Sequence, residues 1–83
     1  MEPELVELYR QLPNRIRTIQ NYKIRRDLLR MYTTCENYYR LASSEQVSAR
    51  SGRTNHRLLD LYNKFNESVT NLDQYVTLAL LSI

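Results

Sequence analysis

Apolar side chains recur with a regular beat over residues 54–83. Leu58, Tyr62, Phe65, Val69, Leu72, Val76, Ala79 and Ile83 are separated by alternating steps of four and three. The average step, about 3.5 residues, is that of a helix packed in a coiled coil. Between these positions lie Asp60, Asn63, Lys64, Asn66, Glu67, Asn71, Asp73 and Gln74, which suit a solvated face, and no Gly or Pro interrupts the run. The pattern predicts a long helix over 54–82, capped by Thr54 or Asn55. The run is still in phase at Ile83, as expected of a helix that continues in a longer native chain.

A second seam, Leu28, Tyr32, Cys35, Tyr39 and Ala42, repeats the same steps and predicts a long helix over 14–46. Ile16, Ile19 and Ile24 do not continue that register backwards, so a phase shift or bend is expected between Tyr22 and Arg26. Residues 47–53 hold the only Gly, Gly52, and read as the connecting loop. At the start, Pro3 suits a first helical turn, with Glu2, Glu4 and Glu7 near its positive end. Leu5, Leu8 and Leu12 line one face. Pro13 removes a backbone donor and disfavours helix at Leu12, so a short helix over 3–12 is expected to stop there.

The expected fold is therefore all-α. It is a single domain over 1–83, a long antiparallel helical hairpin with a short N-terminal helix and coiled-coil-like packing. Thirty helical residues span about 45 Å, and two such helices side by side leave no central core. Leu59, Leu61, Leu78, Leu80 and Leu81 lie off the strict seam and widen the apolar face. A hairpin on its own would expose this surface, so the chain is expected to dimerise or to dock on a partner helix. Leu58, Tyr62, Phe65, Val69, Leu72 and Val76, facing Leu28, Tyr32, Cys35 and Tyr39, are the candidate interface.

Composition narrows the classes. With 83 residues the chain has room for one small core. One Cys excludes an internal disulfide and a cysteine-based metal site, and fits a reducing intracellular compartment. No apolar run is long enough to span a bilayer, and the acidic N-terminus is unlike a signal peptide. The net charge of +3 permits an acidic partner without demanding one.

Candidate chemistry is sparse. His56 is the only His and sits in no nucleophile–base motif; it reads as a polar residue in the first turn of the last helix. Cys35 falls on a seam and reads as a buried structural thiol. One Gly cannot build a phosphate-binding loop. Neither a catalytic residue, a cofactor nor a metal is expected, and the chain does not read as an enzyme. Arg15, Arg17, Lys23, Arg25, Arg26 and Arg30 form a basic run in which Asp27 is the only acid, with Tyr22 and Tyr32 interleaved. Such a run meets nucleic-acid backbones or acidic partner surfaces; as a solvated helix face it needs no partner. The seven Tyr suit the margin of a helical interface, a ring buried and a hydroxyl wet.

Three stretches add a resemblance. Leu8-Tyr9-Arg10-Gln11-Leu12-Pro13, Arg57-Leu58-Leu59-Asp60-Leu61-Tyr62-Asn63-Lys64 and Asp73-Gln74-Tyr75-Val76-Thr77-Leu78-Ala79 follow one another in an order and spacing similar to the N-terminal helical domain of the inhibitor-of-growth family of chromatin proteins. Tyr75 stands where that family usually carries Lys, and residues 14–53 match only in helical character. The resemblance implies a self-associating helical hairpin that seats its protein, in the nucleus, among the helical subunits of histone acetyltransferase or deacetylase complexes. The family's methyl-lysine reader is a zinc-binding finger that one Cys and one His cannot build, so only the scaffold role carries over. The alternatives left open are a small basic nucleic-acid-binding protein and a helical adaptor of a non-chromatin assembly.

Overall fold

The structure, a computed structural model, describes residues 2–48 and 56–82. The chain is all-α, with α1 Pro3–Arg17, α2 Tyr22–Ser48 and α3 His56–Leu81, and no strand among the described residues. The expected caps Thr54 and Asn55, most of the expected loop, and Ile83 lie outside the described residues.

The first difference from expectation is at Pro13, which does not end α1. A proline inside a helix costs about 3 kcal/mol through the lost N–H and its ring clash. Beyond it, however, Ile16 and Ile19 are buried, at 0% and 4% exposure. Full burial of each such side chain contributes roughly 1.5–3 kcal/mol, so packing outweighs the local penalty. Tyr9, Leu12, Ile16 and Ile19 follow one another in steps of three, four and three, and Leu5 extends the series by four. The seam of α1 therefore runs straight through the proline.

The chain turns instead at residues 18–21, just ahead of the bend expected between Tyr22 and Arg26. The N–H of Thr18 donates to the Arg15 carbonyl at 3.2 Å, and that of Ile19 to the Ile16 carbonyl at 3.0 Å. Asn21 then caps α2: its Oδ1 accepts from the backbone N–H of Lys23 and Ile24 at 3.0 and 3.2 Å. From within α2, Arg25 reaches back and donates to the Ile19 carbonyl at 3.0 Å, tying the new helix to the end of the old one.

α2 and α3 run in opposite directions. Near one end Tyr62 donates to Gln46 at 3.2 Å and Arg57 pairs with Glu45 at 3.0 Å. Near the other, Ile24 shares a cavity with Ala79 and Ser82. The two helices do not lie bare. α1 packs against both, so that Tyr9, Leu12, Ile16 and Ile19 join Leu28 and Cys35 of α2 and Phe65, Val69, Leu72 and Val76 of α3 in one core. The molecule measures 49 × 19 × 16 Å, the proportions of three parallel-sided helices each about 10–12 Å across.

Candidate interaction surface

The seam predicted to meet another chain is occupied within this one. Phe65, Val69, Leu72 and Val76 are wholly buried, and Leu28 nearly so at 5%. Leu58, Tyr62, Tyr32 and Tyr39 are half-buried. The expectation that two helices leave no central core is corrected: α1, read as ending at Pro13, is long enough to supply the third wall. Phe65 and Leu72 have no surface left to offer a partner, and a charge placed there attacks the fold before any association.

Aromatic rings organise part of this wall. Tyr32 and Tyr39 stand seven residues apart on α2, a rise of about 10.5 Å. The ring of Tyr9 slots between them, stacked on each with centroids 5.1 Å apart, and meets Phe65 edge-on at 5.3 Å. Such pairs contribute about 0.5–1.5 kcal/mol beyond their buried area. Burial and the neighbouring Tyr32 hydroxyl push the Tyr9 phenol well above its ordinary range. Burial likewise pushes the Cys35 thiol up, with a hydrogen bond from Ser68 acting the other way. A protonated, fully enclosed thiol is a core group rather than a nucleophile. His56 is exposed at the start of α3.

The six cations of the basic run divide into two kinds. Arg15 pairs with Asp73 and donates a second bond to Thr77 Oγ1 at 3.0 Å, strapping α1 to α3. Arg25 is half-buried on the Ile19 carbonyl. These two are structural. Arg17, Lys23 and Arg30 are exposed and make no ion pair among the described residues, and Arg26 only reaches Asp27 at 3.9 Å while lying over the Tyr22 ring at 5.8 Å. Lys23, Arg26 and Arg30, at spacings of three and four, share one face of α2. Removing the two structural arginines from the run turns a diffuse set of charges into a stripe.

The C-terminal half of α3 carries an uncovered apolar strip. Tyr75, Leu78 and Leu81 of α3 are 55%, 61% and 77% exposed, and Ile24 of α2 is 42% exposed. Leu78 and Ser82 stack on one face of α3, the Ser82 hydroxyl donating to the Leu78 carbonyl at 2.7 Å. Ser82 in turn lines the cavity that holds Ile24 and Asn21, which places the strip next to the N-terminus of α2. Leu78 and Leu81 are legible in the sequence as apolar positions off the seam. Asn21 was legible as a cap, an Asn followed by a helical segment, once the proline is not taken as the break.

Among the described residues no cluster of three His, Cys, Asp or Glu side chains is placed to hold a metal ion, and no helix is long and apolar enough to cross a membrane. No family model, curated protein or solved structure matches the chain.

Proposed function

We propose that this chain is a non-enzymatic protein-interaction module, a helical hairpin braced by α1 that presents an edge of α3 to a helix of another subunit or of a second copy. The observation that carries this reading is the strip of Tyr75, Leu78 and Leu81, left more than half exposed although the core behind it is closed. Exposed apolar side chains repeating every three residues along a helix suit another helix laid against them. The assembly proposed is a nuclear chromatin-modifying complex of the acetyltransferase or deacetylase type, and this part of the reading rests on the resemblance in the three stretches around Leu12-Pro13, Leu58 and Val76.

The test is capture from nuclear extract with the wild-type chain and with Leu78→Glu as baits, read by mass spectrometry, together with sedimentation equilibrium of both. Acetyltransferase or deacetylase subunits retained by wild type and lost with Leu78→Glu support the full reading. A monomer–dimer equilibrium abolished by the same change supports self-association. Identical partners and identical mass for the two baits overturn the strip as the interface. The cations Arg17, Lys23, Arg26 and Arg30 favour a second reading, contact with a nucleic-acid backbone, whose signature is a steep loss of affinity with salt.

A further inference from the structure

We infer that the outward face of α2 is a docking face for double-stranded DNA, laid in the major groove with its cations on the flanking phosphates. This rests on the nucleic-acid reading above and is independent of the strip on α3. Tyr22, Arg26, Arg30, Thr33, Asn37 and Arg40 follow one another in steps of four, four, three, four and three. They therefore form one row along the helix, opposite the buried Leu28, Cys35 and Ala42. All six are exposed, and the row is about 27 Å long. No acid stands in it. Asp27 and Glu36 flank it and reach Arg26 and Arg40 only at 3.9 Å. Lys23 adds a fourth cation at the edge, and neither it nor Arg30 makes an ion pair among the described residues. Asn37 accepts from Arg40 at 2.9 Å, which sets that guanidinium on the row, and Arg26 lies over the Tyr22 ring at 5.8 Å.

The make-up of the row favours a polyanion over an acidic protein. Exposed ion pairs between proteins contribute little, and protein interfaces draw most of their affinity from apolar and aromatic anchors at their centre. This row contains no aliphatic side chain; Leu29, 38% exposed, lies off its edge. A DNA duplex returns affinity for cations alone, by releasing the counterions condensed on its phosphates. Shape then favours the duplex over other nucleic acids. A helix about 10–12 Å across fits the B-form major groove, about 12 Å wide, where Arg, Asn and Thr side chains reach base edges. The major groove of A-form RNA is too deep and narrow. A single strand calls for a groove lined with aromatic rings, whereas this row is convex and carries one ring.

The probes are a mixed-sequence DNA duplex, one of its single strands, and poly-glutamate. Fluorescence anisotropy against the full chain is read over a salt series. The duplex is expected to bind tightest, its log affinity falling against log salt with a slope of about −3 to −4 for four cations on phosphates. Arg26→Ala, Arg30→Ala and Arg40→Ala combined should cost at least about tenfold and reduce the slope by about one per cation. Lysine at the same three positions should keep the slope. Arg10→Ala, Arg57→Ala and Lys64→Ala combined remove the same charge from α1 and α3 and should cost less than about threefold, with the helical circular dichroism of all variants unchanged. A single strand bound as tightly as the duplex overturns the inference, as does poly-glutamate competing equally at equal charge concentration. If the duplex binds but the two alanine triples lose affinity alike, nucleic-acid contact stands and the α2 face falls. If no DNA is bound at low salt, both fall.

Discussion

α3 carries two apolar faces, built from the same kinds of side chain and centred roughly 150° apart about the helix axis. On one, Phe65, Val69, Leu72 and Val76 are wholly buried; on the other, Tyr75, Leu78 and Leu81 are mostly exposed. The periodic pattern rates both as helix-packing positions. What separates them is the rest of the bundle: α1 and α2 pack on one face and not the other, with α1 strapped there through Arg15 to Asp73 and Thr77. The apolar content of a helix thus says that something covers it. Whether the cover comes from the same chain or another depends on how far a neighbouring element reaches.

The comparison breaks most sharply at Leu72. A glutamate there places an unpaired carboxylate in the core and removes a buried side chain. The cost of an uncompensated buried charge, about 3–5 kcal/mol or more, is comparable with the whole stability of a domain this small, about 4–12 kcal/mol. Thermal melts followed by circular dichroism should show Leu72→Glu unfolded or without a cooperative transition. A native-like melt would show that the buried face can open.

Next comes Tyr9, the residue by which α1 locks into α2 and α3. Tyr9→Ala leaves a void between Tyr32 and Tyr39 and loses the contact with Phe65; large aromatic truncations in cores cost about 3–5 kcal/mol. Urea denaturation should register a loss of that size. Tyr9→Phe, which keeps the stack and drops only the hydroxyl, should lose far less. If the two variants behave alike, the hydroxyl rather than the stacked rings holds α1 in place.

Pro13 tests why α1 reaches its partner face. Pro13→Ala restores a backbone donor in the middle of a helix and removes a penalty of about 3 kcal/mol, partly offset because proline also stiffens the unfolded chain by about 0.4–1 kcal/mol. A gain of about 1–3 kcal/mol in urea is expected. No gain would mean that the proline is accommodated at no cost.

The same residue marks where reading from sequence stopped. The seams of α2 and α3, the all-helical class and the buried character of Cys35 were legible, because periodicity alone carries them. The architecture was not, because a local rule about proline was set above a periodic one. Leu5, Tyr9, Leu12, Ile16 and Ile19 keep the same alternation of four and three as α3, and following it through Pro13 supplies the third helix. The division of the basic run was not legible at all. Nothing in the sequence says that Arg15 finds Asp73, 58 residues away, or that Arg25 turns back to the Ile19 carbonyl.

The buried face also has a signature in alkali. The thiol of Cys35 is raised above its ordinary 9.0, and the phenol of Tyr9 above its ordinary 10.0. Both groups hold their protons more tightly folded than unfolded, so their contribution to stability is complete below those ordinary values and is lost as pH climbs from them toward the folded ones. The unfolding free energy from urea titrations should be level from about pH 6 to 8 and fall beyond about pH 9, by up to about 1.4 kcal/mol per pH unit for each group. In Cys35→Ala the fall should begin about a unit later, where only tyrosine remains. An unchanged onset would place the thiol in contact with water.

The smallest expected effect bears most directly on the two faces. Leu78 is 61% exposed, so Leu78→Glu removes little buried area and places its carboxylate in water. Surface changes of this kind stay within about 0.5 kcal/mol, and the melting temperature should barely move. Set beside Leu72→Glu, six residues earlier on the same helix, it isolates burial as the variable. Two leucines on one helix receive the same charge, one with loss of the fold and the other with a near-silent melt. A loss of several kcal/mol at Leu78 would show that the strip belongs to the core and has no face to offer.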